Sequence, residues 1–365
     1  MIAGEASGDL HGAGLVEALH GLRPDLTFAG IGGHRMRSAG VALLEDAEQM
    51  AVMGFVEVLR TVPRHWALLR QLEARMTAGG VGLLVVIDYP GFNMKVAAAA
   101  RRRGVPVLYY ITPQVWAWGA GRLPTLATLI TRAATILPFE APLLTSHGID
   151  ATFVGHPLLD RAAELPDRAA ARRQLGLSAD RKVLALFPGS RQQEIDRHIA
   201  AFVETARRLE QQFPGLEVVV SVAPTITLDA ARCPYRMIPN ASFAVLRAAD
   251  AALCKSGTTT LEAAVAGCPL VVAYRTNALT YALASRLVKI PRIGLVNVVA
   301  GREVAPEFVQ AAMTPERMAP VLAGLLDPAS PARTRMLADL AEVTGRLGTP
   351  GAAERTAAIA SGMVR

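Results

Sequence analysis

Four short polar clusters hold most of the side chains in this 365-residue chain that are suited to chemistry. "AGEASGDLHG" (3–12) packs two carboxylates, Glu5 and Asp9, the Ser7 hydroxyl and three glycines, among them Gly8, into ten positions. "DYPGFN" (88–93) places Asp88 directly after the apolar run "LLVVI", with Pro90 and Gly91 to shape a turn and Asn93 to cap the next helix. A carboxylate at the carboxyl end of a buried strand suits general-base work, worth about 10²–10⁴-fold in rate. "FPGSRQQEI" (187–195) offers close backbone approach at Gly189, the Ser190 hydroxyl and, in Arg191, a planar fork suited to diphosphate. "KSGTTTLEAAVAG" (255–267) is a hydroxyl-rich helix start, with Ser256, Gly257, Thr258 and, one turn in, Glu262. Helix-start N–H groups hold phosphate, and a carboxylate there accepts ribose hydroxyls.

Each cluster also has a plainer reading. Ser7 or Asp9 caps the first helix, Asp88 caps the next, and Thr259 with Glu262 forms a capping box. Glu5 is the excess, because a cap needs no second carboxylate four residues earlier. Two phosphate-type loops in one half and two acidic loops in the other are a stronger signal than any one alone. The loop at 187 lacks the Gly-Lys-Ser/Thr ending of a nucleoside triphosphatase. No His/Cys/carboxylate set has metal-ligand spacing, so no metal is expected.

Buried strands must present these clusters. "TFAGI" (27–31), "LLVVI" (83–87), "VPVLYYI" (105–111) and "TFV" (152–154) read as strands in the first half. "KVLALF" (182–187), "LEVVVSV" (216–222), "DAALC" (250–254) and "PLVVAY" (269–274) repeat the rhythm in the second. Helical segments alternate with them, which predicts an α/β protein of two doubly wound, Rossmann-like domains facing across a cleft. The boundary falls in "GHPLLDRAAELPDRAAARR" (155–173), giving domains 1–158 and 159–340 and a helical tail, 341–365. In folds of this type the last helix often crosses back onto the first domain, and packing on a partner subunit is the other option. "MIA" is shorter than a central strand's usual ~5–6 residues, so native residues are expected upstream of Met1. "TPQVWAWGAGR" (112–122) adds Gln114 and two tryptophans after another strand, and His156 lies at the presumed hinge.

Lys and Arg outnumber Asp and Glu by 38 to 31, a surplus compatible with phosphorylated ligands, anionic lipid or nucleic acid. No aromatic-interleaved basic stripe accompanies it, so nucleic acid is disfavoured. Three cysteines without CxxC spacing read as buried thiols in a reducing compartment. With no signal peptide or spanning run visible, a cytoplasmic location is expected. "MAVMGFVEVLRTVPRHWALLRQL" (50–72) is an ordinary core-facing helix pair or an interfacial helix. In the second case Met53, Phe55, Val56 and Leu59 dip into a membrane whose anionic head groups meet the arginines.

Together the motifs resemble the lipid-A-disaccharide synthase family. "AGEASGDLHGAGL", "AVMGFVEVL", "DYPGFN", "PQVWAW", "LPFE", "FVGHPLLD", "PGSRQQEI", "SGTTTLEAA" and "NVVAGREVAPEFVQ" match its blocks in order over nearly the whole chain. The resemblance implies a GT-B fold and transfer of 2,3-diacylglucosamine from its UDP conjugate to 2,3-diacylglucosamine 1-phosphate (lipid X). It implies a β-1,6 disaccharide formed with inversion and release of UDP. Asp88 is then the first choice for the base and Glu5 its rival, with Ser7 and Gly8 helping to hold acceptor or donor. Asn93 and Gln114 join the substrate-binding set. Ser190, Arg191, Ser256, Gly257 and Thr258 are expected on the diphosphate and Glu262 on the ribose, while Asn297, Arg302 and Glu303 complete the donor side. The UDP-sugar is a substrate, and neither cofactor nor metal is expected. Both lipid substrates imply peripheral contact with the inner face of the cytoplasmic membrane; a homodimer is left open. The sequence departs from the family pattern at "LVN" (295–297), where Leu-Pro-Asn is expected, in a shorter stretch between Val222 and Ser242, and at Lys255. The competing readings are a UDP-N-acetylglucosamine 2-epimerase, which needs no membrane-facing greasy helix or acyl pocket, and a non-catalytic nucleotide-sugar-binding protein, which does not need a carboxylate at Asp88 in the cleft.

Overall fold

The computed structural model describes residues 1–47, 55–223, 226, 228–277, 281 and 291–364, apart from the side chains of 55–62, 118 and 120. The chain divides into two compact units, Met1–Pro157 with Gly348–Arg365, and Leu158–Leu347.

The first unit is built on a parallel sheet of β1 (Ile2–Ala3), β2 (Phe28–Gly32), β3 (Val41–Asp46), β4 (Leu84–Ile87), β5 (Val107–Tyr110), β6 (Arg132–Thr135) and β7 (Asp150–Phe153). Their spatial order is β3-β2-β1-β4-β5-β6-β7. The second unit holds β8 (Val183–Phe187), β9 (Glu217–Val222), β10 (Arg236–Pro239), β11 (Ala251–Lys255), β12 (Leu270–Tyr274) and β13 (Glu307–Val309), in the order β10-β9-β8-β11-β12-β13. Strands such as Leu84–Ile87 and Val183–Phe187 are buried along their whole length, as expected where helices cover both faces of a parallel sheet. This is the α/β, doubly wound class in both units.

Strand order reverses between β1 and β4 in the first unit and between β8 and β11 in the second. At such a switch point the loops after the two strands diverge and leave a crevice, where ligands of doubly wound folds bind. The four polar clusters of the sequence are the loops after β1, β4, β8 and β11.

Four strands have no counterpart in the sequence reading. β3, β10 and β13 are sheet edges, half-polar or only three residues long, and β6 is the Ala-rich "RAAT". The tail begins at Gly348 rather than 341, because the helix Pro331–Arg346 belongs to the second unit. The last helix, Ala352–Ser361, packs on the first, Ala6–Leu22. Its Ala357 and Ala360 enter the core of that unit, and Arg355 Nε donates to the Val154 carbonyl at 2.8 Å.

The helix Phe55–Ala78 buries Leu68, Leu69, Leu72 and Met76 in the first core. Trp66 on the same helix stays 49% exposed, with Lys95 Nζ 5.4 Å from its ring centroid. Met53 lies outside the described residues, as do the side chains of Phe55, Val56 and Leu59.

Candidate active site

At the first switch point the backbone itself is unusual. Asp88 and Tyr89 after β4 have φ of 46° and 47°, and Ile111 after β5 has 59°, left-handed values that cost a non-glycine residue about 1–3 kcal/mol each. Strain of this kind persists only where neighbours hold it. The Asp88 N–H donates to the Tyr110 and Ile111 carbonyls at 3.2 Å each. The Asp88 carbonyl accepts from Tyr109 Oη at 2.8 Å and from Asn93 Nδ2 at 2.7 Å. Gly4 faces the Tyr89 ring so closely that a Cβ there would sit 2.3 Å from Cγ, which explains the glycine. Burial pushes the Asp88 carboxyl above its ordinary range, and the neighbouring Glu5 charge pushes it further. Glu5 is exposed at the N-cap position of the helix Ala6–Leu22, with Ser7 exposed and Gly8 buried in the first turn.

Two expectations are corrected here. Neither Ser7 nor Asp9 caps that helix, because it begins at Ala6. Asp9 instead accepts the Gly33, Arg35 and Met36 amides at 2.6, 3.0 and 3.0 Å, capping the next helix, His34–Ser38. Asn93 is fully buried and does not cap its helix. The helix begins at Pro90, and the amide turns back to the Ile87 and Asp88 carbonyls, so Asn93 positions Asp88.

Gln114 is exposed at the start of the short helix Val115–Trp118. Trp116 donates its indole N–H to Glu140 Oε1 at 3.1 Å and meets the Phe139 ring edge-on at 5.0 Å. The side chain of Trp118 lies outside the described residues.

At the second switch point, Gly189 has φ 144°, and a Cβ there would meet Glu194 Cβ at 2.6 Å. Glu194 accepts the Ser190 amide at 3.0 Å and pairs with Lys255 Nζ at 2.8 Å, joining the loop after β8 to the end of β11. Burial raises the Glu194 carboxyl, but the Lys255 hydrogen bond and charge outweigh it and leave it below the ordinary range. Lys255 is therefore committed to Glu194. Ser190, Arg191 and Thr258 are exposed, and Gly257 is half-buried.

Ser256 is occupied: its Oγ donates to the Ile293 carbonyl at 2.7 Å. Glu262 is held 3.6 Å from Arg161; burial raises its carboxyl, while Arg161 and a bond to Ser242 act the other way.

The "NVVAGRE" block divides. Asn297 is fully buried, donating to the Ala305 carbonyl and Glu307 and accepting the Val304 and Ala305 amides, so it fastens its own loop instead of contacting a donor. Arg302 pairs on the surface with Asp339 and Glu342, again not with a ligand-binding loop, and Glu303 is exposed. Val296, standing where the family pattern has proline, donates its N–H to Thr260 Oγ1 at 3.2 Å, a bond proline could not make.

Several residues that brace these loops have no role assigned from sequence. Tyr109 lies within the apolar run of β5, and Glu140 stands in the sequence only as the last residue of "LPFE". His198 is buried, its Nδ1 against the Pro188 carbonyl at 2.8 Å and its Nε2 accepting the Arg275 amide at 2.9 Å, which ties the loops after β8 and β12.

A family model described as lipid-A-disaccharide synthetase matches residues 1–342. The lipid-A-disaccharide synthase of Geobacter sulfurreducens is 43% identical over 370 residues, covering 98% of this chain and 95% of its own. That of Syntrophus aciditrophicus is 41% identical over 374 residues, covering 100% and 97%. The chain belongs to the lipid-A-disaccharide synthase family. It is a UDP-sugar-dependent glycosyltransferase of lipid A biosynthesis. Among solved structures it resembles a UDP-N-acetylglucosamine 2-epimerase from Neisseria meningitidis bound to UDP-GlcNAc, with TM-score 0.62 at 13% identity over 96% of each chain. It also resembles the glycotransferase of kitacinnamycin, with TM-score 0.63 at 16% identity over 97% of this chain and 95% of the other. At such identities the likeness carries the fold, not the epimerase reaction.

Proposed function

We propose that the chain transfers 2,3-diacylglucosamine from its UDP conjugate to the 6-hydroxyl of lipid X, forming the β-1,6 disaccharide 1-phosphate and UDP, with Asp88 as the base. The observation that carries this reading is the half-buried Asp88 carboxylate, clamped in a strained backbone at the first switch point with its pKa raised. A raised pKa makes a carboxylate a stronger base toward a sugar hydroxyl. The acceptor proton passes to Asp88, the freed oxygen attacks the anomeric carbon, and the bond to UDP breaks with its electron pair on the diphosphate. Glu5, exposed beside Asp88, orients the acceptor with Ser7 and Gly8; Gln114 completes this side.

Donor binding falls to the second unit. Arg191, Ser190 and the N–H groups at Gly257 and Thr258 meet the leaving diphosphate, whose charge needs such fixed donors. Glu262 accepts a ribose hydroxyl. Glu303 remains a donor-side candidate on exposure alone. No metal enters this scheme, so turnover is expected to survive chelation by EDTA.

Both substrates are lipids, and we assign the enzyme to the inner face of the cytoplasmic membrane as a peripheral protein. Among the described residues no helix is long and apolar enough to cross a membrane. The helix Phe55–Ala78, with Trp66 exposed and Arg64 2.7 Å from Glu45, is the element proposed to lie at the lipid surface. The homodimer stays an open alternative to a monomer.

The test is incubation with UDP-2,3-diacylglucosamine and lipid X in detergent, followed by mass analysis. Disaccharide 1-phosphate and UDP are expected. Epimerised donor without disaccharide, or tight UDP binding without any product, would replace this reading with an isomerase or a binding protein.

A further inference from the structure

Glu140 is the most deeply buried carboxyl near the first switch point, and the proposed reaction does not use it. It begins the helix Glu140–Thr145 after β6, and its residue is 3% exposed. Oε1 accepts the Trp116 indole N–H and Oε2 the Leu137 amide, both at 3.1 Å. Trp116 sits in the helix directly after the loop Ile111–Gln114. That loop touches Asp88, whose N–H donates to the Ile111 carbonyl at 3.2 Å. A continuous path therefore runs from the Glu140 carboxyl through Trp116 and the β5 loop to the backbone of Asp88.

We propose that Glu140 is a positioning residue for the reaction at Asp88, holding through Trp116 the loop that braces the Asp88 backbone. This rests on Asp88 being the base. The electrostatics agree with the geometry. Burial pushes the Glu140 carboxyl up to about 7, the Trp116, Leu137 and Ile136 bonds pull it down, and Asp88 raises it again. The other titratable groups bearing on Asp88 and its clamp are Glu5, Tyr89 and Tyr109. The coupling runs from Asp88 to Glu140: the Asp88 charge helps to hold the proton on Glu140, while Asp88 itself answers to burial and to Glu5.

Rates of disaccharide formation between pH 5 and 9 test this in wild type, Glu140→Gln and Trp116→Phe. Wild-type kcat is expected to rise through an inflection near pH 7, where Glu140 ionises and its bond to Trp116 strengthens. Glu140→Gln is expected to lose that inflection and to leave the Asp88 limb in place, with kcat reduced and KM little changed. Trp116→Phe removes the bond and is expected to lose the same inflection. In the double variant the two losses do not add. If Glu140→Gln does not fold, Trp116→Phe alone carries the test. A wild-type profile without that inflection, or a uniform loss in Glu140→Gln that retains it, overturns the proposal. Failure of the underlying reading looks different: Asp88→Asn would then keep its turnover, or the wild type would make no disaccharide.

Discussion

The Tyr109 hydroxyl donates to the backbone carbonyl of Asp88 at 2.8 Å, and the buried Asn93 amide joins it at 2.7 Å. Two donors thus hold one carbonyl in a left-handed backbone that would otherwise relax. Tyr109→Phe removes one donor and keeps the ring. It is expected to lower kcat about tenfold, leave UDP affinity unchanged, and cost about 1 kcal/mol of stability. Asn93→Ala removes the other donor and is expected to cost more in both. Steady-state kinetics beside UDP titration calorimetry checks this; unchanged kcat in both variants would show that the clamp does not matter to turnover.

The Glu194–Lys255 pair sets the charge of the donor side. Lys255→Met leaves Glu194 half-buried and uncompensated next to the loop proposed for the diphosphate. UDP affinity is expected to fall about tenfold, or about 1.4 kcal/mol. Lys255→Met with Glu194→Gln removes both charges and is expected to recover most of that loss. Calorimetry on the three proteins decides; an unchanged affinity in the single variant would contradict the pair's role.

Asp9 acts on stability rather than catalysis. Its carboxylate accepts three amides of the segment 33–36. Asp9→Ala is expected to destabilise the first unit by about 1–3 kcal/mol while leaving turnover near normal in the protein that remains folded. Trp66, Trp116 and Trp118 all lie in that unit, so tryptophan fluorescence in a denaturant titration reports it.

The first unit also has a legible pH signature. Burial lowers the His156 imidazole to about 3, with His11 adding to the effect, against 6.5 for the free group. The unfolded chain therefore binds the extra proton, and stability is lost as pH falls from 6.5 toward 3, by about 1.4 kcal/mol per pH unit. Glu140 works the other way. Its carboxyl is at about 7 against 4.5 when free, so the folded chain gains stability as pH falls through that window. The two oppose each other between pH 4.5 and 6.5. Glu140→Gln is expected to steepen the loss of stability there relative to wild type, and His156→Asn to reverse it, in fluorescence-detected titrations at successive pH values. Parallel wild-type and variant curves would contradict both assignments.

How much of this is legible in the sequence depends on the element. Continuous apolar runs such as "LLVVI" and "KVLALF" announce the central strands, because burial on both faces demands them. The polar residues that follow four of these strands mark the two switch points for the same reason. Edge strands carry a weaker signal: "TFV" marks β7, but β13, with three half-buried residues, shows none. Side-chain commitments are less legible still. Asn93, Ser256 and Asn297 look like ligand-binding residues by type, yet each hydrogen-bonds to a carbonyl of the protein's own backbone. Those bonds depend on long-range packing and on the left-handed turns at Asp88 and Tyr89, which no residue type there suggests.

The measurement that bears most directly on the account is disaccharide formation by Asp88→Asn beside its UDP affinity. The variant keeps the shape of the side chain and loses the proton acceptor. UDP binding equal to wild type is expected, with turnover reduced by about 10²–10⁴-fold. Near-normal turnover would remove Asp88 as the base and leave Glu5 to be tested in its place.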